Sequence, residues 1–590
     1  MSKSKKQLEN TTSRRRFLTR GAAVTAAAVS LPVLGKDEPR KQPVTIDTLS
    51  EAEKIFGLEY TDQENQQMLE AINNQLDKLN ELRAIEQPNS LAQAMTFDPR
   101  LSYVDYGYQD NKVTLSSGHI NSSGKSDEDI AYASIQDQAA WLRLGHISSE
   151  RLTNIYLERI KKYGNQLECF VTVTADTALK QARHADRELK AGIDKGPLHG
   201  IPYGLKDLFD TEGIKTTWGA TPFKDRTPEA DATVVKLLNE AGAVMLGKTT
   251  CGALASGDVW YDGKTRNPWH TKEGSSGSSA GSASATAAGL VGFSIGTETL
   301  GSIVSPSNRC GATGLRPTYG RISRAGAMAL CWSLDKVGPI CRTVEDTVIV
   351  LAVLNKPDPQ DTGSIAMGFE YSSSKDLSNI TVGYDPVWFS GDKTVQSDIE
   401  ALNALKALGL KTKEISIPDT RPDLLRMALS VESAAAFEEL TLADDDDQLR
   451  RQLSRAWPTR WRQARLLSAV DYVQLDRLRR QAMDKMHILF EDIDMLIAPN
   501  FASGLLVTTN YTGHPCLTLR AGFHKRELVL PGGPYLTDES LPKEKSTERF
   551  ELPRNISLMG RLFSEGVLCA VGRKLEEKLN VKNQRPNFLT

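Results

Sequence analysis

The chain has 590 residues, of which 40% are hydrophobic and 25% charged, values ordinary for a globular protein that can bury a large core. Its formal net charge of −2 gives no electrostatic basis for binding nucleic acid or an anionic membrane. The seven cysteines show no CxxC spacing and the eight histidines form no HExxH pair, so we expect no disulfide framework, no metal site and no cofactor.

Residues 1–40 are typical of an export signal. The basic stretch Ser13–Arg16 is followed by an apolar run from Gly21 to Leu34 and then by the charged residues Lys36 and Asp37. This run is too short to span a bilayer comfortably. The doubled arginine before Phe17-Leu18 resembles a twin-arginine (Tat) signal, which implies a periplasmic or exported protein with no membrane span apart from the signal itself, if it stays uncleaved. The alternative is a basic amphipathic N-terminal helix.

Residues 41–130 are predicted to form a helical extension that ends in a polar linker. Capping-box patterns begin at Thr48 and at Thr61. The second is followed by an amphipathic stripe typical of a packing surface, made of Leu69, Ile72, Leu76, Leu79 and Leu82. The polar segment 106–129 predicts a linker or an exposed loop.

Residues 131–582 have the pattern of a single α/β domain. Helical periodicity over 139–163 is followed by short apolar runs, and residues 231–246 predict a helix, a glycine stop and a strand. Helices that alternate with buried strands predict one large mixed β-sheet flanked by helices on both faces.

Residues 273–289 read EGSSGSSAGSASATAAG, a composition typical of a flexible linker. No charged residue occurs between Gly274 and Thr297, however, and small side chains over this length favour a helix packed closely inside a core. Residues 277–281 also match GxSxG, the nucleophile elbow of the α/β-hydrolases, with Ser279 as the nucleophile. That elbow requires an apolar strand just before it, and the preceding TRNPWHTKEGSS is not one.

Several motifs in a fixed order resemble the amidase signature family. The first are GIPYGLKD at Gly200–Asp207, Gly277-Ser278-Ser279, and GTETLGSI at Gly296–Ile303 followed by Pro306. Further matches are CGATGLRPTYGRISRAG from Cys310, SLDKVGPICRTVED from Ser333, and DMLIAPN and TNYTGHPCLTL near the C-terminus. The resemblance covers about residues 131–582 and implies the amidase signature fold, an α/β architecture.

The resemblance also implies a Ser-Ser-Lys triad. Lys206 would be the base, Ser278 a relay serine on a cis peptide bond, and Ser302 the nucleophile, 302 − 278 = 24 residues after Ser278. The oxyanion hole would be formed by backbone N–H groups of Thr299, Leu300, Gly301 and Ser302. The residues expected to support the site are Ser279, Asp335 and Arg342.

Amide cleavage requires a strong nucleophile, a base for its proton, an acid for the leaving amine and donors for the oxyanion. A serine hydroxyl is a poor nucleophile until a base removes its proton, and no histidine lies in the triad motifs, so a lysine must serve. Only a neutral lysine accepts a proton, and burial would lower the pKa of Lys206. The sequence departs from the family pattern at Leu300, Val304 and Arg316, where glycine, arginine and lysine are usual.

We therefore expect an amidase that hydrolyses a carboxamide C–N bond of a small molecule through an acyl-enzyme, releasing a carboxylate and ammonia or an amine. One alternative is a glutaminase similar to the A subunit of glutamyl-tRNA(Gln) amidotransferase, which an export signal and the absence of basic patches disfavour. The other is a non-catalytic binding protein on the same scaffold, which retention of all three triad positions disfavours.

Overall fold

The structure is a computed structural model that describes residues 44–117, 125–391, 394–530 and 548–586. The expected signal at residues 1–40 lies outside the described residues. The described residues divide into two compact units, with the boundary between Ile85 and Glu86. No helix within the described ranges is long and apolar enough to cross a membrane.

The first unit contains two helices in the region predicted to be helical, α1 (Ile46–Phe56) and α2 (Asp62–Arg83). Helix α2 begins with the expected capping box between Thr61 and Glu64. The N-cap of α1 is Thr45, three residues before the predicted cap Thr48. Thr45 Oγ1 accepts from Thr48 N, and Thr48 Oγ1, at position N3, accepts from Thr45 N. A threonine hydroxyl can therefore fill the role that Glu or Gln usually fills in a capping box.

The second unit alternates helices and strands. Its helices are α3 Asp127–Tyr132, α4 Ile135–Arg143, α5 Ser149–Leu167, α6 Ala175–Lys190, α7 Thr233–Glu240, α8 Ala280–Ala287, α9 Val304–Cys310, α10 Val344–Leu354, α11 Gln396–Lys406, α12 Pro422–Ala436, α13 Glu438–Leu442, α14 Trp457–Ala464, α15 Ala469–Glu491, α16 Leu505–Tyr511 and α17 Glu565–Leu579. Its strands are β1 Lys112–Thr114, β2 Phe170–Val173, β3 Pro202–Lys206, β4 Val244–Thr249, β5 Arg266–Asn267, β6 His270–Gly274, β7 Phe293–Glu298, β8 Thr313–Arg316, β9 Lys336–Cys341, β10 Glu370–Ser372, β11 Thr381–Tyr384, β12 Lys411–Glu414, β13 Met495–Pro499, β14 Cys516–Arg526 and β15 Phe550–Gly560.

Eleven strands form the central sheet in the order β12-β11-β13-β15-β14-β8-β9-β7-β3-β4-β2. The sheet is mixed: β3 is parallel to β4 and β7, whereas the run from β13 through β9 to β7 is antiparallel. Every residue of β3, β4, β7 and β9 is buried, which requires cover on both faces of the sheet. The expected mixed sheet flanked by helices is therefore confirmed.

The Gly/Ser-rich stretch contains a buried helix. Residues 275–279 form a loop, and α8 follows with every residue from Ala280 to Thr286 buried. Residues 231–246 form α7, a turn at Gly242 with φ +73°, and the start of β4, as predicted. Part of the segment predicted as a linker instead forms β1, which pairs in parallel with β10 and so satisfies its backbone groups.

Candidate active site

Strands β3 and β7 place the motif residues at one edge of the sheet. The two strands are parallel neighbours, with Leu205 opposite Ile295. Lys206 is the last residue of β3, and residues 299–302 follow the last residue of β7. Because the carboxyl ends of parallel strands lie at the same edge, residues 96 positions apart in sequence (302 − 206) come together there.

Lys206 is fully buried and held by two hydroxyl groups. Its Nζ donates to Ser278 Oγ and to Thr297 Oγ1, both at 2.7 Å. Burial lowers the pKa of Lys206 to about 8, because removal from water disfavours the ammonium. Thr297 was not singled out by the sequence analysis, and its place two residues before Thr299 carries no distinctive signal.

Ser278 lies on the loop before α8, and the Gly277–Ser278 peptide bond is cis. A Cβ on Gly277 would lie 1.8 Å from the Gly257 carbonyl oxygen, so only glycine allows the two loops to approach this closely. The loops of the two serines are joined by a hydrogen bond from Ser279 N to the Ser302 carbonyl at 3.2 Å. In the described part of the chain, the side-chain hydroxyls of Ser278 and Ser302 are not hydrogen-bonded to each other.

Residues 299–302 form a tight turn. Gly301 has φ +94°, and a Cβ there would lie 2.9 Å from Leu506 Cδ2 and 3.0 Å from Ser305 Oγ. The neighbouring position, where the family usually has glycine, is occupied by Leu300, which packs against an apolar cluster that includes Trp218 and Met328. The turn thus accommodates a leucine, whose side chain gains apolar contacts with that cluster.

Ser279 has a structural hydrogen-bonding role. Its Oγ donates to the Thr297 carbonyl at 3.1 Å and accepts from Thr297 N at 3.2 Å, and the side chain is fully buried. Among the described residues, the preceding strand β6 pairs with the two-residue strand β5 and lies outside the central sheet. Both features differ from a nucleophile elbow, in which the serine hydroxyl is exposed after a strand of the main sheet.

Asp335 and Arg342 occupy different surroundings. Asp335 accepts from Thr299 Oγ1 at 2.6 Å and from two backbone N–H groups, Leu330 at 2.8 Å and Cys331 at 3.0 Å. It therefore ties the turn after β7 to a neighbouring loop. Arg342 donates to backbone carbonyls, among them Val291 at 2.6 Å, on the N-terminal side of β7. Its contacts are those of a packing residue.

Glu298 organises the segment after Ser302, and the sequence analysis did not single it out. Its Oε2 accepts from Ile303 N at 2.8 Å and from Val304 N at 2.9 Å, and its Oε1 accepts from Arg316 Nη1 at 2.8 Å. Burial raises the pKa of Glu298, but Arg316 and the donated hydrogen bonds outweigh it and hold that pKa below its ordinary value. The sequence did contain a signal for Glu298, because it is the first charged residue after the uncharged stretch from Gly274 to Thr297.

The three departures from the family pattern are thus accommodated. Arg316 takes the place of lysine and also donates to Thr509 Oγ1 and the His514 carbonyl, both at 2.9 Å. Val304 takes the place of arginine and is buried in an apolar cluster that includes Leu505.

Comparison with known proteins agrees with this fold. The family model described as Amidase matches residues 151–569. The A subunit of glutamyl-tRNA(Gln) amidotransferase from Roseiflexus castenholzii is 34% identical over 476 residues, which cover 73% of this chain and 92% of that protein. Its counterpart from Hahella chejuensis is 41% identical over 295 residues, 48% of this chain and 61% of that protein. The solved structure of peptide amidase from Stenotrophomonas maltophilia has a TM-score of 0.65 and 26% identity, covering 78% of this chain and 99% of that one.

The fold, the buried lysine and the matched region together define an enzyme that hydrolyses a carboxamide C–N bond. The chain belongs to the amidase signature family.

Proposed function

We propose that this enzyme acts on a small-molecule amide, with Ser302 as the nucleophile, Lys206 as the base and Ser278 as the relay between them. The observation that carries this assignment is the 2.7 Å hydrogen bond from Lys206 Nζ to Ser278 Oγ in a fully buried setting. A buried lysine with a pKa of about 8 is partly neutral near neutral pH and can accept a proton.

In the first half-reaction, Ser302 Oγ attacks the amide carbonyl carbon while its proton passes to Ser278 Oγ and the Ser278 proton passes to Lys206 Nζ. The oxyanion that forms is stabilised by backbone N–H groups of residues 299–302. The C–N bond then breaks as the leaving nitrogen takes a proton back along the same relay. Ammonia or an amine departs, and an ester on Ser302 remains.

In the second half-reaction, a water molecule attacks the ester carbonyl and gives its proton to the relay. The Ser302–acyl bond breaks as the relay returns the proton to Ser302 Oγ, and the carboxylic acid that is released ionises in water to a carboxylate. Asp335 would keep Thr299 in place throughout, because it holds the Thr299 hydroxyl at 2.6 Å. Its role and that of Ser279 are positioning roles, since neither side chain has to touch the reacting atoms.

A second candidate is glutamine hydrolysis that supplies ammonia to a partner enzyme. It is favoured by similarity to proteins named as the A subunit of glutamyl-tRNA(Gln) amidotransferase. The expected export signal argues against it, because ammonia supply to tRNA-dependent synthesis takes place in the cytosol. We propose that residues 1–40 direct a twin-arginine-type export to the periplasm or beyond, on the basis of Ser13–Leu18 and the apolar run that follows.

The proposed function is tested by incubating the purified protein with a panel of small amides, glutamine included, and measuring ammonia. Release from at least one amide, abolished in Ser302→Ala, supports the assignment. Release that is unchanged in Ser302→Ala would contradict it.

A further inference from the structure

A cavity of about 400 Å³ lies beside the proposed catalytic residues, a size typical of small-molecule sites. Thr297 and Thr299 line it. The first accepts a hydrogen bond from Lys206, and the second is part of the proposed oxyanion turn. Ser302 itself is not among the lining residues, so a substrate whose carbonyl carbon lies at Ser302 would reach the cavity past Thr299.

One wall of the cavity comes from residues 90–92, which precede the region matched by the family model. The wall is held by Asn89. Its Oδ1 accepts from Ala329 N at 2.8 Å, and its Nδ2 donates to the Ala329 carbonyl at 2.8 Å and to the Ala436 carbonyl at 3.1 Å. The Asn89 carbonyl in turn accepts from Trp332 Nε1 at 3.3 Å, and Ala329 and Trp332 both line the cavity.

The chain that follows is anchored as well. The Arg479 guanidinium lies over the Phe97 ring, with its Cζ 3.4 Å from the ring centroid. The centroids of the Phe97 and Tyr319 rings are 5.0 Å apart. Residues 89–97 are thus fixed at both ends. Between these anchors, Leu91 lines the cavity yet is 57% exposed, so a large part of its apolar surface is uncovered. A bound apolar group would remove that surface from water.

The charged side chains that line the cavity already have hydrogen-bond partners within the protein. Arg324 and Asp361 form a two-pronged ion pair, with Nη2–Oδ1 at 2.6 Å and Nε–Oδ2 at 3.0 Å. Asp335 accepts the three hydrogen bonds described above. Lys336 donates to the Leu334 carbonyl, and burial lowers the pKa of Lys336 to about 7, so it is largely neutral above that pH. Each of these charged groups is thus engaged within the protein, whereas Leu208, Met328 and Val337 offer apolar surface to a ligand.

We propose that residues 89–92 are a specificity-determining wall of the substrate cavity, and that the cavity selects amides that carry an uncharged, apolar group. The inference rests on the proposed function, because it places the scissile amide at Ser302. It also predicts that glutamine, which carries an ammonium and a carboxylate, is a poor substrate.

The test compares hexanamide, acetamide and glutamine in the wild type and in Leu91→Ala and Asn89→Asp variants of the full chain. Asn89→Asp keeps the acceptor for Ala329 N and loses both donors. In the wild type, we expect kcat/KM for hexanamide to exceed the values for acetamide and glutamine by at least about 10-fold. Leu91→Ala and Asn89→Asp should each lower the ratio of kcat/KM for hexanamide to kcat/KM for acetamide about 5- to 10-fold. Met95→Ala is the matched control, since Met95 lies in the same segment, is 84% exposed and does not line the cavity.

Binding of hexanamide to Ser302→Ala, measured by calorimetry with and without Leu91→Ala, separates this inference from the proposed function. Weaker hexanamide binding in the variant that lacks the Leu91 side chain supports the inference that residues 89–92 contact the ligand. If this is found and no amide is hydrolysed, only the proposed function fails. Three results would each overturn the inference. The first is a hexanamide-to-acetamide ratio of kcat/KM that neither variant changes, and the second is glutamine as the best substrate. The third is hexanamide binding to Ser302→Ala that Leu91→Ala leaves unchanged.

Discussion

Arg316 Nη1 lies 2.8 Å from Glu298 Oε1, and both side chains are fully buried. The other Glu298 oxygen accepts the backbone N–H groups of Ile303 and Val304, directly after Ser302. The ion pair therefore connects the segment after the proposed nucleophile to β8. In a buried pair, each ion is tolerated only because the other is present.

Removing one member of this pair should be costly. In Glu298→Ala we expect the free energy of unfolding to fall by about 3–5 kcal/mol, because Arg316 is left buried and unpaired. Arg316→Lys restores the residue usual in the family and keeps the charge, so it should cost only about 1–2 kcal/mol for the lost hydrogen bonds and retain activity. Urea unfolding monitored by fluorescence measures both. Equal stability of Glu298→Ala and the wild type would contradict the role given to the pair.

The turn at Gly301 gives a test of the oxyanion hole. Gly301→Ala and Gly409→Ala both place a Cβ on a residue with positive φ, +94° and +76°. Each should lose about 1–2 kcal/mol of stability. At Gly301 the Cβ meets Leu506 and Ser305, whereas at Gly409 nothing lies within 4 Å. We expect kcat to fall at least about 100-fold only in Gly301→Ala, because displaced N–H groups no longer meet the oxyanion. A similar fall of kcat in both variants, or no fall in either, would contradict an oxyanion hole formed by residues 299–302.

The pH profile should report the protonation of Lys206. Below a pKa of about 8 the side chain is charged and cannot accept a proton, so kcat/KM should rise with pH through about 8 and then level off. Lys206→Ala should lower kcat at least about 1000-fold at every pH. Lys215→Ala, which changes an exposed lysine paired with exposed Asp225, should alter neither rate nor midpoint. A profile that is flat from pH 6 to 10 would contradict a lysine base.

The export proposal is tested on a reporter fused after residue 40. We expect the reporter to reach the periplasm, and replacement of Arg14 and Arg15 by lysine to stop it, since the doubled arginine is the distinctive feature of the signal. Fractionation followed by immunoblotting provides the readout, and a fusion lacking residues 1–40 is the control. Export that continues in cells without the twin-arginine translocon would show that another route is used.

The sequence predicted the class of fold and the residues proposed for the site, but it did not predict the contacts that hold those residues. Motif order and spacing identified the family, and the charge-free stretch correctly indicated that α8 is buried. Thr297 and Arg316 act through partners distant in sequence: Thr297 meets Lys206 across β3 and β7, and Arg316 meets Thr509. Such pairings follow from strand order, which local patterns do not encode. The wall at residues 89–92 was missed for the same reason, since the partners of Asn89 lie 240 or more positions away in sequence.

The central claim is that Ser302 is the nucleophile, and active-site labelling tests it most directly. The wild type, Ser302→Ala and Ser279→Ala are treated with a fluorophosphonate probe, and the labelled peptide is identified by mass spectrometry. We expect the label on Ser302 in the wild type, none in Ser302→Ala, and retained labelling in Ser279→Ala, because the Ser279 hydroxyl is occupied by the backbone of Thr297. Labelling that maps to Ser279 and persists in Ser302→Ala would contradict the claim.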